Sequence, residues 1–569
     1  MERLLGREKK SVIIVGAGVG GCASAARLAK AGFKVTVVEK NDFTGGRCSL
    51  IYDGEHRFDQ GPSLLLLPDL FHETFTDLDT TMPAEGVHLL KCDPNYQIFF
   101  HDNEKMTLSS DLSHMKPEIE RWEGKEGFER YLGFLAEGHR HYEFSMKQAL
   151  RKNFPSVFSM IRPTLLKEIM SMFVFTSLYT RASAYFWTDR LRRCFTFASM
   201  YMGMSPYTAP ALYSLLQYTE LVEGIWYPQG GFHKVVEAIV NIGKKLGVEY
   251  QLNSPVQSIL LSEDEKQAVG VVLQSGRHLQ ADVVLVNADL VYTYNNLLPE
   301  TSYSKKLAKR PASCSSISLY WSMNRKIEEL SAHNIFMAEH YKESFEEIFD
   351  KLKLPDEPSF YVNVPSRIDP TAAPDGKDSI VVLIPTGHLD EDGNGRGLKT
   401  SDDWNRLVNK ARDFVIKTIE GRTGVKDLRQ AIAAERVNIP TTWQERFNLY
   451  KGGILGLSID FWNSLAFRPK TKHASISNLY FVGASTHPGT GVPVCLAGAK
   501  ITTEQILDDL RVEKPWSSAP PPDLRVKKMG LSLDIERKDS ISGMERWQRI
   551  IWAICLGSLI VLVISKVFD

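Results

Sequence analysis

Short apolar runs that stop abruptly at glycine or at a single acid mark both ends of this chain. Residues 12–15 (Val-Ile-Ile-Val) stop at Gly16, and residues 35–38 (Val-Thr-Val-Val) stop at Glu39. The small and apolar residues between them recur at helical spacing, which predicts strand, glycine-rich turn, helix and second strand in that order. A comparable run at 478–482 stops at Gly483, and residues 497–510 continue it as a helix with small residues at its start. Between these ends the pattern predicts a helix at 232–246 and strands near 248–252, 268–273 and 282–287. Turns at Asn253-Ser254 and Ser275-Gly276 separate them. Residues 116–150 carry helical patterns, and no internal repeat is visible.

The first of these units has chemistry attached. Gly16-x-Gly18-x-x-Gly21 follows a strand and opens a helix. Gly16 permits the tight turn, Gly18 lets the backbone approach a pyrophosphate, and Gly21 lets the helix pack on the strand. The helix N-terminus offers free N–H groups and partial positive charge to phosphates. Glu39, at the end of the second strand, is placed to accept the adenosine ribose hydroxyls and would repel a 2′-phosphate. A dinucleotide site is predicted here. Gly45-Gly46-Arg47 follows directly, a glycine pair that can press against a diphosphate beside a fixed cation.

Together with Phe58-Asp59-x-Gly61-Pro62-Ser63, this stretch resembles the FAD-containing amine oxidase and phytoene desaturase superfamily. The strand ending at Gly483, with the turn that follows it, looks like that family's second FAD segment. Two runs, Trp226-Tyr227-Pro228-x-Gly230-Gly231-Phe232 and His487-Pro488-Gly489-Thr490-Gly491-Val492-Pro493, resemble the fungal and bacterial-type carotenoid desaturases. So do Pro255-Val256 and the run from Ala281 to Asp289. The resemblance covers residues 12–510. It implies an α/β protein, a Rossmann-type FAD-binding domain interleaved with a mixed α+β substrate domain, and non-covalent FAD. The implied cofactor residues are Gly16, Gly18, Gly21, Glu39, Gly45, Gly46, Arg47, Gly61, Pro62, Ser63, Val256, Gly483, Gly491, Val492 and Pro493. The implied layout places FAD-binding segments at 1–63, 225–297 and 469–510, and substrate-side segments at 64–224 and 298–468.

The activity implied is conversion of 15-cis-phytoene to lycopene, by hydride transfer to flavin and loss of the neighbouring proton. Oxygen or a membrane quinone would reoxidise the flavin, and phytoene synthase and lycopene cyclase are the expected neighbours. His487 is the first candidate for orienting the flavin or accepting the proton, against a role in bonding its own turn. Asp59 and Glu223 are candidates that serve equally as structural acids, and water alone could suffice as base. A flavin amine oxidase and a prenyl-lipid binder related to geranylgeranyl reductases are the competing readings. Cys495 lies in a turn resembling the desaturases rather than a covalent flavin attachment motif.

Composition narrows this without having found it. Lys+Arg and Asp+Glu both total 68 over 569 residues, which argues against nucleic acid as a partner. Seven scattered cysteines without a CxxC pair point to reduced thiols facing the cytosol. No metal site is predicted, and His139-x-His141 reads as a surface coincidence.

Two stretches point to a bilayer. Residues 550–565 are uncharged, flanked by Arg549 and Lys566, and follow a proline-rich, charged linker. At about 1.5 Å per residue they span about 24 Å, near the thickness of an endoplasmic reticulum membrane. A linker at 511–546 and a C-terminal transmembrane anchor at 547–567 are expected, with the catalytic part facing the cytosol. The apolar stripe at 165–178, with Arg181, Arg190, Arg192 and Arg193 beyond it, suits either a membrane-interface face or a core stripe.

Overall fold

A computed structural model describes residues 9–162, 165, 172–395, 397–398 and 400–516. Five parallel strands form its central sheet, in the spatial order Leu479–Phe481, Val283–Val286, Ser11–Val15, Lys34–Val38 and Glu249–Gln251. They come from distant parts of the chain, so the sheet exists only because the chain returns to it twice. Parallel strands covered on both faces need apolar residues throughout, which explains the unbroken valine and isoleucine runs. Val12 and Ile14 face the helices Val19–Lys30, His233–Lys245 and Val492–Leu510. Ile13 and Val15 face an antiparallel ribbon of Val256–Leu261, Ala268–Leu273 and His278–Gln280. Each such valine or isoleucine contributes about 1.5–3 kcal/mol on burial.

The helix expected at 497–510 begins at Val492 instead. Gly491, at φ +100°, turns the chain, and Pro493 suits a first helical turn because it has no N–H to leave unbonded. The patterns at 116–150 resolve into Leu112–Glu123 and Lys125–Phe144, parted by Gly124 at φ +69°, and a π-turn at Ser145–Ala149. The strand Ile225–Pro228 pairs with Leu89–Cys92, which ties the start of the returning segment to the inserted part.

A second, seven-stranded sheet carries the rest. Its order is Ile432–Asn438, Ser315–Met323, Ser379–Thr386, Phe360–Asn363, His333–Phe336, Tyr96–Phe99 and Lys105–Leu108. All nine residues of Ser315–Met323 are buried. Ile317, Leu319 and Trp321 pack on the helix Ser401–Thr423, while the alternating Ser316 and Ser318 line a cavity between the two sheets.

Among the described residues no helix is long and apolar enough to cross a membrane. The anchor expected at 547–567 lies outside the described residues, as do residues 166–171 of the apolar stripe. The rest of that stripe is mostly core: Leu165, Met172 and Val174 pack with Phe144 and Phe154, and Leu178 is buried with Met204 and Ile459. Phe175 is the exception and is exposed. His141 is not at the surface as expected. It is buried, with Nδ1 2.7 Å from the Ser214 hydroxyl.

Candidate active site

One cavity of about 760 Å³ runs from the glycine-rich turn into the space between the sheets. Every sequence-predicted cofactor residue except Gly21 lines it. At its first end, Gly16 takes φ +98° and donates its N–H to the Val38 carbonyl at 2.8 Å, which sets the turn. Gly18 is the N-cap of Val19–Lys30 and brings no capping side chain, so the first-turn N–H groups are left to a ligand. Gly21 stands behind the wall, where a Cβ would lie 2.2 Å from the Gly16 carbonyl oxygen. Its role is close packing of helix on turn.

The second glycine pair closes on the first. Gly45 donates to the Ala17 carbonyl at 2.7 Å and bridges to Gly18. Glu39 is held between the two loops: its Oε2 accepts the Ala17 N–H and its Oε1 the Asn41 N–H, both at 2.8 Å. The half-buried Arg47 guanidinium donates to the Ile454 carbonyl. Burial lowers its pKa, and nearby Cys495 and Asp289 counter that. A carboxylate for a ribose diol, two side-chain-free loops, a free helix N-terminus and a fixed cation together fit the adenosine and diphosphate of FAD.

The far wall of this end is organised by Arg468, which the sequence reading passed over. It is fully buried, and its guanidinium donates to the carbonyls of Leu457, Ser458, Asn463, Ala484 and Thr486. Burial pulls its pKa down to about 10. No carboxylate pairs with it among the described residues, so its donors are spent on shaping the 483–491 loop. Asn287 does similar work at the strand ends. Its N–H donates to the Val15 carbonyl at 2.8 Å and its amide to the Val482 carbonyl at 3.0 Å.

The two catalytic candidates are not brought to the cavity. His487 points the other way, with Nε2 donating to the Lys152 carbonyl at 2.7 Å and its ring edge-on to Phe154 at 5.2 Å. Burial holds its pKa down at about 4, so the ring is neutral. It pins its loop to the inserted part of the chain, and the expectation of a flavin-facing base is corrected accordingly. Asp59 accepts the Tyr227 hydroxyl at 2.6 Å and the Phe232 N–H at 2.7 Å. It joins the hairpin Leu50–Asp53/His56–Asp59 to the returning segment, and burial raises its pKa to about 6. Glu223 is half-buried and raised to about 7 by the same cause.

Comparison with known proteins agrees with this geometry. The flavin containing amine oxidoreductase family matches residues 19–507. Phytoene desaturase of Fusarium fujikuroi is 62% identical over 523 residues, spanning 90% of this chain and 92% of that protein. A zeta-carotene-forming phytoene desaturase of Myxococcus xanthus is 39% identical over 501 residues, 88% of this chain and 94% of its own. Cyclohexylamine oxidase from Brevibacterium oxydans shares the fold at a TM-score of 0.55 and 16% identity, over 89% of this chain and 100% of that one. The chain therefore belongs to the flavin-containing amine oxidoreductase family, in the branch that holds the phytoene desaturases. Its cofactor is FAD.

Proposed function

We propose that this protein is a membrane-associated phytoene desaturase that converts 15-cis-phytoene to lycopene. One observation carries the reading beyond the relatives' names. Among the described residues, every charged side chain lining the cavity, Glu39, Lys40, Arg47 and Asp289, lies at the cofactor end. Beyond them the wall is Leu66, Phe197, Met200, Leu216, Phe461 and similar side chains. A hydrocarbon needs no polar handle, and burying it is worth about 0.8 kcal/mol per methylene. A cationic amine would be matched by a carboxylate, and the acids of the lining, Glu39 and Asp289, lie at the cofactor end.

Bound FAD supplies the hydride acceptor. The protein's share is placement and exclusion. Apolar side chains keep water from the allylic methylenes, and Ser316 and Ser318 leave room beside the cofactor end where larger side chains would not. An apolar space without polar anchors lets the chain shift between successive oxidations. That supports several steps ending at lycopene, although the Myxococcus xanthus relative is named for zeta-carotene.

Membrane entry is supported at the cavity's apolar end. Its lining residues Met160, Val174, Phe461 and Leu465 adjoin a surface on which Phe158 is 67%, Ile161 58% and Trp462 56% exposed. Phe175, also exposed, packs on Phe461 with ring centroids 4.5 Å apart. Exposed aromatic and aliphatic side chains beside such lining residues suit a bilayer. We place the protein on the cytosolic face of the endoplasmic reticulum, held by residues 547–567, with oxygen or a quinone as terminal acceptor and phytoene synthase and lycopene cyclase as neighbours. The test is chromatography of the carotenoids formed from phytoene by the purified protein in liposomes. Lycopene as the accumulating product supports the proposal. A stop at zeta-carotene would correct the number of steps, and no desaturated product at all would overturn it.

A further inference from the structure

Desaturation as proposed above releases one proton per double bond, and neither Asp59 nor His487 reaches the cavity to take it. Another buried carboxyl lies behind the wall. Glu220 belongs to the π-turn Thr219–Glu223 and is 4% exposed, with no ion-pair partner among the described residues. Its Oε1 accepts the Tyr96 hydroxyl at 2.9 Å. The Tyr96 ring stacks on Tyr201 with centroids 6.4 Å apart, which sets the two phenols side by side. Tyr201 lines the cavity beside Tyr361 and Ser63, whose hydroxyls lie 2.9 Å apart. This is the place where the 61–63 loop of the cofactor end meets the apolar compartment. A hydrocarbon site has no recognition use for phenols backed by a carboxyl.

We infer that Tyr201, Tyr96 and Glu220 form a relay that carries the substrate proton out of the cavity, with Glu220 as its terminal acceptor. The inference rests on the desaturase reading. The C–H bond beside the oxidised methylene gives its electron pair to the new C=C bond and its proton to the Tyr201 oxygen. The proton of Tyr201 passes to Tyr96, and that of Tyr96 to the Glu220 carboxylate. The hydride that completes the balance is the one assigned above to FAD.

The surroundings suit this task. The groups acting on Glu220 are Tyr96 and Tyr201, with the neutral His333 ring 6.0 Å from that of Tyr96. The Asn95 amide donates to the Glu220 main-chain carbonyl. Among the described residues no cation offsets burial, which raises Glu220 to about 8. An acceptor that ionises near working pH is what proton transfer asks for.

Glu220→Gln keeps the volume and the Tyr96 bond, and Tyr96→Phe keeps the ring packing. The experiment follows anaerobic bleaching of the flavin by phytoene in liposomes between about pH 6 and 10, with flavin content and melting temperature as controls of folding. The wild-type rate should climb as Glu220 ionises near pH 8. Both variants should be about 100-fold slower above that pH, with flat profiles. Infrared difference spectra should show a protonated-carboxyl band that titrates near pH 8 in the wild type and is missing in Glu220→Gln. A wild-type rate and profile in either variant would overturn the relay. A wild-type flavin that phytoene never bleaches would remove the desaturase reading itself, a failure seen before any variant is made.

Discussion

Gly21→Ala separates steric packing from backbone conformation in the FAD cradle. Gly21 sits inside Val19–Lys30 at ordinary helical φ, so alanine brings no backbone strain and improves helix propensity by about 1 kcal/mol. Yet its Cβ would lie 2.2 Å from the Gly16 carbonyl oxygen and 3.1 Å from the Asn287 side chain. Gly16 is pinned by its bond to Val38, so helix and turn must part by about 1 Å to reach normal contact. Overpacking of that kind costs about 1–3 kcal/mol, largely cancelling the propensity gain in the apo-protein. The effect on FAD is larger, because Gly18 and the first-turn N–H groups retreat from the diphosphate by the same distance. Losing two charge-assisted hydrogen bonds at about 1.5–3 kcal/mol each raises Kd about 10²- to 10⁴-fold. Titrating apo-protein with FAD by fluorescence quenching, beside thermal melts, measures both quantities. Gly32→Ala is the control: no atom lies within 4 Å of its Cβ, but its φ is +91°. It should lose about 1–2 kcal/mol of stability to strain alone and keep the wild-type Kd. Wild-type FAD affinity in Gly21→Ala, or equal weakening in Gly32→Ala, would refute the reasoning.

Asp59 has a folded pKa of about 6, above its unfolded value near 4, so folding takes up a proton between the two. Its contribution is full below about pH 4 and is lost as pH rises through about 6, about 3 kcal/mol in all. Asp59→Asn should flatten that part of a urea-denaturation series across pH. Arg468→Met leaves five buried carbonyls without their donor and should destabilise by at least about 3 kcal/mol in urea melts. Arg468→Lys should not rescue it, since a point charge cannot span the fork. Phe158→Ser combined with Trp462→Ser should weaken flotation with liposomes and leave flavin content unchanged. Deleting residues 543–569 should do the same, and the two changes together should weaken flotation most.

The cofactor end was legible because its constraints are local. A turn at φ +98°, a helix start without a capping side chain and an acid at a strand end each leave a mark within a few residues of the motif. The strands at 12–15, 282–287 and 478–482 were readable too, since fully covered parallel strands must be apolar on both faces, but their pairing was not. What sequence could not show was direction. His487 sits in the expected loop, but its ring turns toward Lys152 and Phe154, a contact made across more than 300 residues. Glu220 and Glu223 lie one turn apart and look alike in sequence, and only burial distinguishes them. Arg468 reads as an ordinary surface cation until five carbonyls are seen to converge on it. Tyr201 and Tyr361 follow no short-range pattern, because the site they share is assembled by two different segments.

An uncharged compartment presents a hydrocarbon to FAD in the function proposed for this protein. Its most direct test is the flavin absorbance of liposome-bound protein mixed without oxygen with 15-cis-phytoene, beside the same protein mixed with a long-chain amine. The oxidised flavin band should be lost with phytoene, with coloured carotenoid appearing in step, and stay unchanged with the amine. Bleaching by the amine while phytoene leaves the band intact would contradict that function.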